Sequence, residues 1–383
     1  MGHGGHPHRP LGGQPAGSPR GGTALRHPGD RIPFHAGPHR GAGGSHLSFP
    51  RSASTHLLGL EGQRLVLALG PGGPVRTVWA LEVQWWADFL SAVLRAATPL
   101  VFCALGVLVC GRAGILNIGV EGSMLVGALA AVLAAVYSGD PWMGVVGALG
   151  VGLAAGLVLT LLTVYLPTDQ VVTGIAFNLV CLGVTSFIYK LLVLGGVQLM
   201  APALRAAQDA EGAVSLAGLA AAVTPLTWIA LFLVAVSWVF LFRTGPGLLW
   251  RSVGESAWAS HAAGLNVFRV RTVAVVVGSL LSALGGAALT LGWVPTFTDN
   301  MTMGRGFIAL AAVYFGRWHP GLALAACLLF GAGEALAFRA QALGTGLNPY
   351  YYLMLPYVVT LMAVAAMGRS VEPRDTGKPY ARR

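Results

Sequence analysis

An amide and a carboxylate stand among glycines where one long apolar run of the chain begins. Asn117 and Glu121 lie within Arg112–Gly122, and the apolar stretch Ser123–Val136 follows directly. A polar group at membrane depth needs a hydrogen-bonding partner or a water-lined cavity. Spaced by four residues, the two side chains are expected to share one helix face. Glu121 would contact a bound molecule or tie helix ends together through backbone N–H groups, and its glycine neighbours favour the second role.

Other polar residues interrupt the apolar runs further along the chain. Asn178 lies in mid-run, where its amide could contact a bound molecule or bridge two helices. Glu334 is the second deep carboxylate, and bonding between helices is its favoured role. Asp299, Asn300 and Arg305 precede a short apolar segment. We expect them in a loop at the outer face, where they could contact a partner or the entrance of a pathway.

The chain has no arrangement of residues that is typical of an enzyme. It lacks the Gly-x-x-x-x-Gly-Lys-Ser/Thr phosphate loop, and its only lysines are Lys190 and Lys378. We find no Ser-His-Asp set, zinc-ligand spacing or paired carboxylates, and His261 and His319 are interpreted as structural. The cysteines lie inside apolar segments without Cys-x-x-Cys spacing, and we expect them to be buried: Cys103, Cys110, Cys181 and Cys327. The sequence therefore predicts a protein that is not an enzyme and binds no metal or cofactor.

The composition of the chain predicts a membrane protein. Of its 383 residues 55% are hydrophobic and only 10% are charged, whereas a soluble domain has about 25% charged residues. The mean hydropathy is +0.68. Runs of about 20 apolar residues recur from Phe89 onward, which is typical of transmembrane helices. We expect an all-α polytopic bundle with about eight or nine transmembrane segments.

The apolar runs give the predicted spans. They are Phe89–Cys110, Ile118–Tyr137, Trp142–Leu166, Gln170–Tyr189, Leu226–Phe242, Val270–Trp293, Gly321–Phe338 and Tyr351–Met367. Phe307–Phe315 is too short for a full crossing by length, so it is a short helix buried by its neighbours or a re-entrant segment. Small residues recur within the runs and predict close helix packing.

The N-terminal region differs in composition from the rest. Residues 1–56 hold six arginines against Asp30 alone, eight of the ten histidines, and much Gly, Pro and Ser. Such a segment buries too little apolar surface to fold, so we predict a disordered extension over 1–80. It could bind metal or acidic lipid, be dispensable, or reflect a start site assigned too far upstream. A transmembrane domain over 81–370 and a basic tail over 371–383 complete the division.

Arginine and lysine in the short loops predict the orientation. Arg243–Arg269 and the C-terminal tail carry an excess of basic residues, so both are expected in the cytoplasm. The balanced connection Lys190–Pro225 fits the outside. An odd number of crossings must then separate the sixth span from the tail, so Phe307–Phe315 crosses as a short helix. Counting backwards places the N-terminus outside.

The predicted cytoplasmic loop contains a short Ala-rich helix. Ser256 is a suitable N-cap, and Gly264 can adopt the left-handed conformation at the C-terminal end. The exposed face of this helix would be small and nearly uncharged. Such a face suits docking into a groove of a partner, and an ordinary interfacial helix is the alternative.

Six motifs occur in an order that resembles a known family. Two of them are Asn-Ile-Gly-x-Glu-Gly, which ends at Gly122, and Gly-Arg-Gly-Phe-Ile-Ala, which begins at Gly304. The motifs occupy Gly114–Gly122, Asp169–Asn178, Val253–Gly264, Gly304–Pro320, Leu355–Tyr357 and Gly377–Tyr380. Together they resemble the permease subunit of bacterial ABC importers for simple sugars, branched-chain amino acids and nucleosides, and the two quoted motifs resemble its nucleoside-type branch. The resemblance covers Val93–Tyr380.

The resemblance implies partners and a location. It implies a bacterial plasma-membrane permease with a second permease subunit, which is expected to be a different chain. It also implies a separate ATPase subunit that uses the ATP, an extracytoplasmic substrate-binding lipoprotein and contact with membrane lipid, with no nucleic acid. Ser252–Gly264 resembles the coupling helix that docks into the ATPase. The residues expected in this contact are Gly254, Glu255, Ala259, Ala262, Ala263 and Gly264.

Other functions compatible with the sequence are kept open. Within the family, the substrate could be a simple sugar or a branched-chain amino acid instead of a nucleoside. From another class, an ion-coupled secondary transporter would use Glu121 and Glu334 as proton or sodium ligands. Such a transporter would not need the Ala-rich cytoplasmic helix, because it has no ATPase subunit to dock. An intramembrane enzyme lacks any catalytic set.

Overall fold

A computed structural model of the chain describes residues 60–61, 64–67, 76–166, 168–197, 199–204, 223–342, 351, 354, 358, 362, 372–378 and 380. Three short strands come first: β1 Leu60–Glu61, β2 Arg64–Leu67 and β3 Arg76–Thr77. They pair antiparallel in the order β1-β2-β3. The Gly- and Pro-rich composition did not lead us to expect strands. The rest of the predicted disordered extension over 1–80 lies outside the described residues, apart from the start of the first helix, so it stays a prediction.

Helices make up nearly all the remaining described structure, which confirms the predicted all-α bundle. They are α1 Val78–Arg112, α2 Val120–Ser138, α3 Pro141–Thr160, α4 Gln170–Leu194, α5 Pro225–Arg243, α6 Gly245–Glu255, α7 Ala257–Ala262, α8 Val267–Gly292, α9 Arg305–Phe315 and α10 Pro320–Ala342. A π-helical turn, Leu161–Tyr165, extends α3. Seven helices in the described part of the chain are long and apolar enough to cross a membrane, and α9 is shorter, as predicted. The predicted last span, Tyr351–Met367, lies mostly outside the described residues; its four described positions, 351, 354, 358 and 362, are helical.

The helix starts follow local signals in the sequence. Asp140 accepts a hydrogen bond from the Trp142 N–H, and Pro141 takes the first helical position of α3, where its missing N–H costs nothing. Asp169 caps α4 and Asn266 caps α8 in the same way. These caps fix where each apolar run becomes a helix.

Glycines allow α8 to pack closely at the centre of the bundle, where its main neighbours are α1, α2 and α3. A Cβ atom on Gly286 would lie 2.1 Å from the Met124 carbonyl oxygen of α2. A Cβ atom on Gly106 of α1 would lie 2.5 Å from the Gly278 carbonyl oxygen of α8. Such approaches replace large side chains with backbone contact, which is the usual way for helices to pack in a membrane.

The basic loop and the basic tail lie against each other. The Asp375 N–H of the tail donates to the Gly254 carbonyl oxygen at 3.0 Å, and Gly254 also packs on the Arg112 carbonyl at the end of α1. The two segments therefore lie on the same side of the bundle, and the assignment of that side to the cytoplasm stays a prediction. α1 has 35 residues and spans about 50 Å, so its start lies at the opposite side of the bundle; the outer N-terminus stays a prediction.

Candidate functional site

Glu121 caps a helix that is remote in sequence. Its Oε1 accepts from the Gly304 N–H at 2.9 Å and its Oε2 from the Gly306 N–H at 2.7 Å. Both donors lie at the start of α9, where the first N–H groups of a helix have no internal partner and a negative charge is stabilised. Only 9% of Glu121 is exposed. Its carboxylate therefore holds the start of α2 to the start of α9.

Glycine is required at both donor positions. A Cβ atom on Gly306 would lie 2.7 Å from Glu121 Oε2 and 2.8 Å from its Cα, so a larger residue would push the carboxylate away. Gly304 has φ +81°, a conformation that L side chains rarely adopt. These two glycines explain the Gly-Arg-Gly motif.

Arg305 stands between the two glycines and pairs with the second deep carboxylate. Its Nη2 lies 2.6 Å from Glu334 Oε1 of α10, and its Nη1 donates to the Met301 carbonyl at 3.0 Å. The guanidinium carbon lies 5.4 Å from the centre of the Trp293 ring. The outer-face position expected for Arg305 stays a prediction; its side chain is partly buried because it pairs with Glu334. Both deep carboxylates thus have partners, Glu121 in backbone N–H groups and Glu334 in Arg305.

Side chains from α4 satisfy the non-helical backbone between α1 and α2. Asn178 Nδ2 donates to the Ile118 carbonyl at 2.9 Å, and its Oδ1 accepts from the Gly122 N–H at 2.8 Å. Gln170 Oε1 accepts from the Leu116 N–H at 2.8 Å. Irregular backbone is tolerated inside a bundle only when its polar groups are bonded in this way. Asn178 therefore bridges two elements, and Gln170, the first residue of α4, does the same; sequence reasoning missed Gln170.

Asn117 is not on the face of α2. It lies in the segment before that helix, which begins only at Val120, so it does not share a helix face with Glu121 as the spacing suggested. Its Nδ2 lies 3.8 Å from the Cys110 sulfur. The cavity beside it measures about 10 Å³, room for one water molecule at most. A nucleoside or a sugar does not fit there.

Asp299 and Asn300 are exposed in the connection between α8 and α9. Asp299 accepts a hydrogen bond from the Ser186 hydroxyl of α4. Asn300 has φ 53°, in the left-handed region that asparagine tolerates better than most residues. Both remain available for an external contact.

The two short helices α6 and α7 form the protein's candidate docking surface. Ser256 caps α7 by accepting from the Ala259 N–H at 3.2 Å, and Gly264 has φ +85°, which confirms both predicted ends. Five of the six predicted contact residues are exposed: Glu255, Ala259, Ala262, Ala263 and Gly264. A cleft of about 530 Å³ lies beside them, lined in part by Arg112 and Arg251.

Gly254 is the exception among the predicted docking residues. It is buried, and a Cβ atom there would lie 2.4 Å from the Arg112 carbonyl oxygen of α1. Its role is to let α6 approach the end of α1, so it supports the docking surface from inside. The apolar pattern of the loop did not distinguish this inward position from the outward ones.

A family model and several known proteins match this chain. A family model described as branched-chain amino acid transport system / permease component matches residues 89–364. The guanosine ABC transporter permease protein NupQ of Bacillus subtilis is 34% identical over 312 residues, which cover 78% of this chain and 98% of that protein. The nucleoside ABC transporter permease protein NupC of Lactococcus lactis is 30% identical over 312 residues, covering 76% and 96%.

Relatives with another substrate in their names also match. The glucose ABC transporter permease protein TsgB13 of Haloferax volcanii is 27% identical over 278 residues, which cover 66% of this chain and 72% of that protein. No solved structure matches the chain significantly.

Proposed function

We propose that this chain, which belongs to the permease family of the branched-chain amino acid transport systems, is the membrane-spanning subunit of an importer. The importer is driven by ATP and lies in a bacterial plasma membrane. The observation that carries this proposal is the exposed small-residue face of α7, next to the basic tail. A separate ATPase subunit docks on this face and hydrolyses the ATP, because the chain has no phosphate loop of its own.

The translocation pathway is proposed to form between this chain and a second permease subunit. The cavity beside Asn117 is too small for a substrate, and the polar groups around it are bonded to backbone. Helix α4 supports a pathway between subunits, since much of its surface is exposed and its buried residues form a narrow stripe: Gln170, Gly174, Phe177, Cys181 and Thr185. Asp299 and Asn300 are exposed on the face assigned to the outside and suit contact with a substrate-binding lipoprotein.

A nucleoside is the proposed substrate. The support is the resemblance of the Gly304–Pro320 and Gly114–Gly122 motifs to the nucleoside-type branch, together with the names of NupQ and NupC. A simple sugar is the second candidate, favoured by the glucose relative TsgB13. We propose that the binding protein is the first component to discriminate between a nucleoside and a sugar.

The substrate class is tested by a thermal-shift screen of the binding protein that assembles with this chain. Purine and pyrimidine nucleosides, free bases, ribose and glucose are added at equal concentration. We expect nucleosides to raise the unfolding temperature, because a ligand that binds only the folded state stabilises it by mass action, about 2.7 kcal/mol at a hundredfold excess over the dissociation constant. Free bases and ribose, each one half of a nucleoside, serve as matched controls. Stabilisation by sugars alone would overturn the nucleoside assignment.

The geometry disfavours an ion-coupled secondary transporter. Such a protein needs carboxylates that can exchange a proton or sodium ion during the cycle. Glu121 is occupied by two backbone N–H groups and Glu334 by Arg305. Releasing either carboxylate would leave buried polar groups without partners, so both are better suited to holding helices in place.

A further inference from the structure

The C-terminal tail reaches back under the bundle and bonds to the docking helix. Asp375 Oδ2 accepts from the Ala257 N–H at 2.8 Å, at the first residue of α7. The Asp375 N–H donates to the Gly254 carbonyl of α6 at 3.0 Å. One residue therefore holds the junction of α6 and α7, and it does so with a carboxylate at a helix start, where a negative charge is favourable.

The same tail segment also bonds to α8, at the centre of the bundle, and to α4. The Lys378 carbonyl accepts from Arg271 Nη1 of α8 at 3.2 Å and from Gln170 Nε2 of α4 at 3.4 Å. Arg271 is only 2% exposed, so the Lys378 carbonyl supplies a hydrogen-bond acceptor to a buried guanidinium group. Gln170 in turn holds the Leu116 N–H, in the segment that leads to Glu121.

An aromatic cluster closes the contact between the tail and the docking surface. The Tyr380 ring centre lies 5.1 Å from that of Trp258 in α7 and 5.4 Å from that of Phe268 in α8. The Arg271 guanidinium lies 5.8 Å from the same ring. Tyr380 is 6% exposed, and its hydroxyl has no hydrogen-bond partner in the described part of the chain. The ring therefore contributes packing and its hydroxyl contributes little.

We propose that Asp375, Lys378 and Tyr380, here termed the tail tie, transmit movement of the ATPase-docking helix α7 to the central helix α8 and to α4, the helix proposed to lie beside the pathway. The inference rests on the proposed function, because it requires an ATPase on α7. Without the tail tie, the described contacts of α7 with the rest of the bundle reduce to its neighbours along the chain and the start of α8. ATP hydrolysis would then continue, but less substrate would be taken up for each ATP hydrolysed. The tail tie positions α7 and does not touch substrate.

The test uses the full complex of permease, ATPase and binding protein in proteoliposomes, with uptake and ATP hydrolysis measured in the same sample. Tyr380→Ala and, separately, Asp375→Ala are expected to leave the ATPase bound and active while uptake per ATP falls about fivefold or more, the lower end of usual coupling energies. Tyr380→Phe keeps the ring and is expected to behave as wild type. Arg374→Ala, an exposed neighbour, is the matched control.

The outcomes separate the tail tie from the proposed function. If the alanine variants reduce only the amount of assembled complex, with an unchanged ratio of uptake to ATP hydrolysed, the tail is a folding element and the proposal is overturned. A Tyr380→Phe variant as defective as Tyr380→Ala would also contradict it. The wild-type sample reports on the proposed function itself, since uptake that continues without ATP would reject that function whatever the variants do.

Discussion

Replacing Glu121 by glutamine is expected to reduce the yield of folded protein and lower its unfolding temperature in detergent. A glutamine side chain has one acceptor oxygen, and its NH₂ group would face the second N–H donor of α9. One buried N–H then loses its partner, which costs roughly 1–3 kcal/mol. Loss of the negative charge at the helix start adds about 1 kcal/mol. Together these terms are a large part of the stability of a typical domain.

The matched control is Asp140→Asn, the same change from carboxylate to amide at an exposed helix start. Asp140 accepts from the Trp142 N–H at 2.9 Å, and asparagine caps a helix about as well as aspartate. We expect little change in that variant. Glu121→Ala extends the comparison: loss of the folded protein agrees with a structural carboxylate. A folded, assembled protein without uptake would instead give Glu121 a direct role in transport.

Replacing Ala262 by arginine is expected to abolish ATP-driven uptake while the permease itself stays folded. Ala262 is exposed on the small face of α7, and arginine has nearly the helix propensity of alanine. The long charged side chain would prevent close approach of the ATPase. We expect the ATPase to be lost from the purified complex and uptake to fall by more than about tenfold, equivalent to roughly 1.4 kcal/mol of docking energy.

Ala262→Ser is the matched control for the size of the side chain, since it adds only one oxygen atom to the same face of α7. It should retain the ATPase and uptake, and both variants should keep the wild-type unfolding temperature. If Ala262→Arg still binds and is driven by the ATPase, the docking surface lies elsewhere on the chain.

Local features of the sequence were enough to predict the long helices of the described part of the chain, but not the short α6. Length and hydropathy gave the spans, including the short α9, because the bilayer sets the length of an apolar run. Asp140 with Pro141, and Ser256 with Gly264, gave helix ends, because caps act within a few residues. The family followed from the order of the motifs, which can be identified in one sequence without any information about its packing.

The partners of the deep polar residues could not be predicted. Glu121 and its donor Gly306 are 185 residues apart, and no periodicity connects positions at that distance. The pairing of Arg305 with Glu334 joins residues on two different helices, and the sequence pattern of neither helix indicates it. Gly254 and Ala262 are both small residues of one loop, and only the packing of α6 on α1 distinguishes the buried from the exposed one. The approach of Tyr380 to α7 likewise depends on the fold of the whole chain.

Uptake into proteoliposomes is the measurement that tests the assigned function most directly. The permease is reconstituted with its ATPase and binding protein, and a labelled nucleoside is supplied on the side of the binding protein. We predict accumulation that requires Mg-ATP on the ATPase side, stops with a non-hydrolysable ATP analogue and is unaffected when proton and sodium gradients are collapsed. Accumulation driven by an ion gradient without ATP or the ATPase would contradict the account.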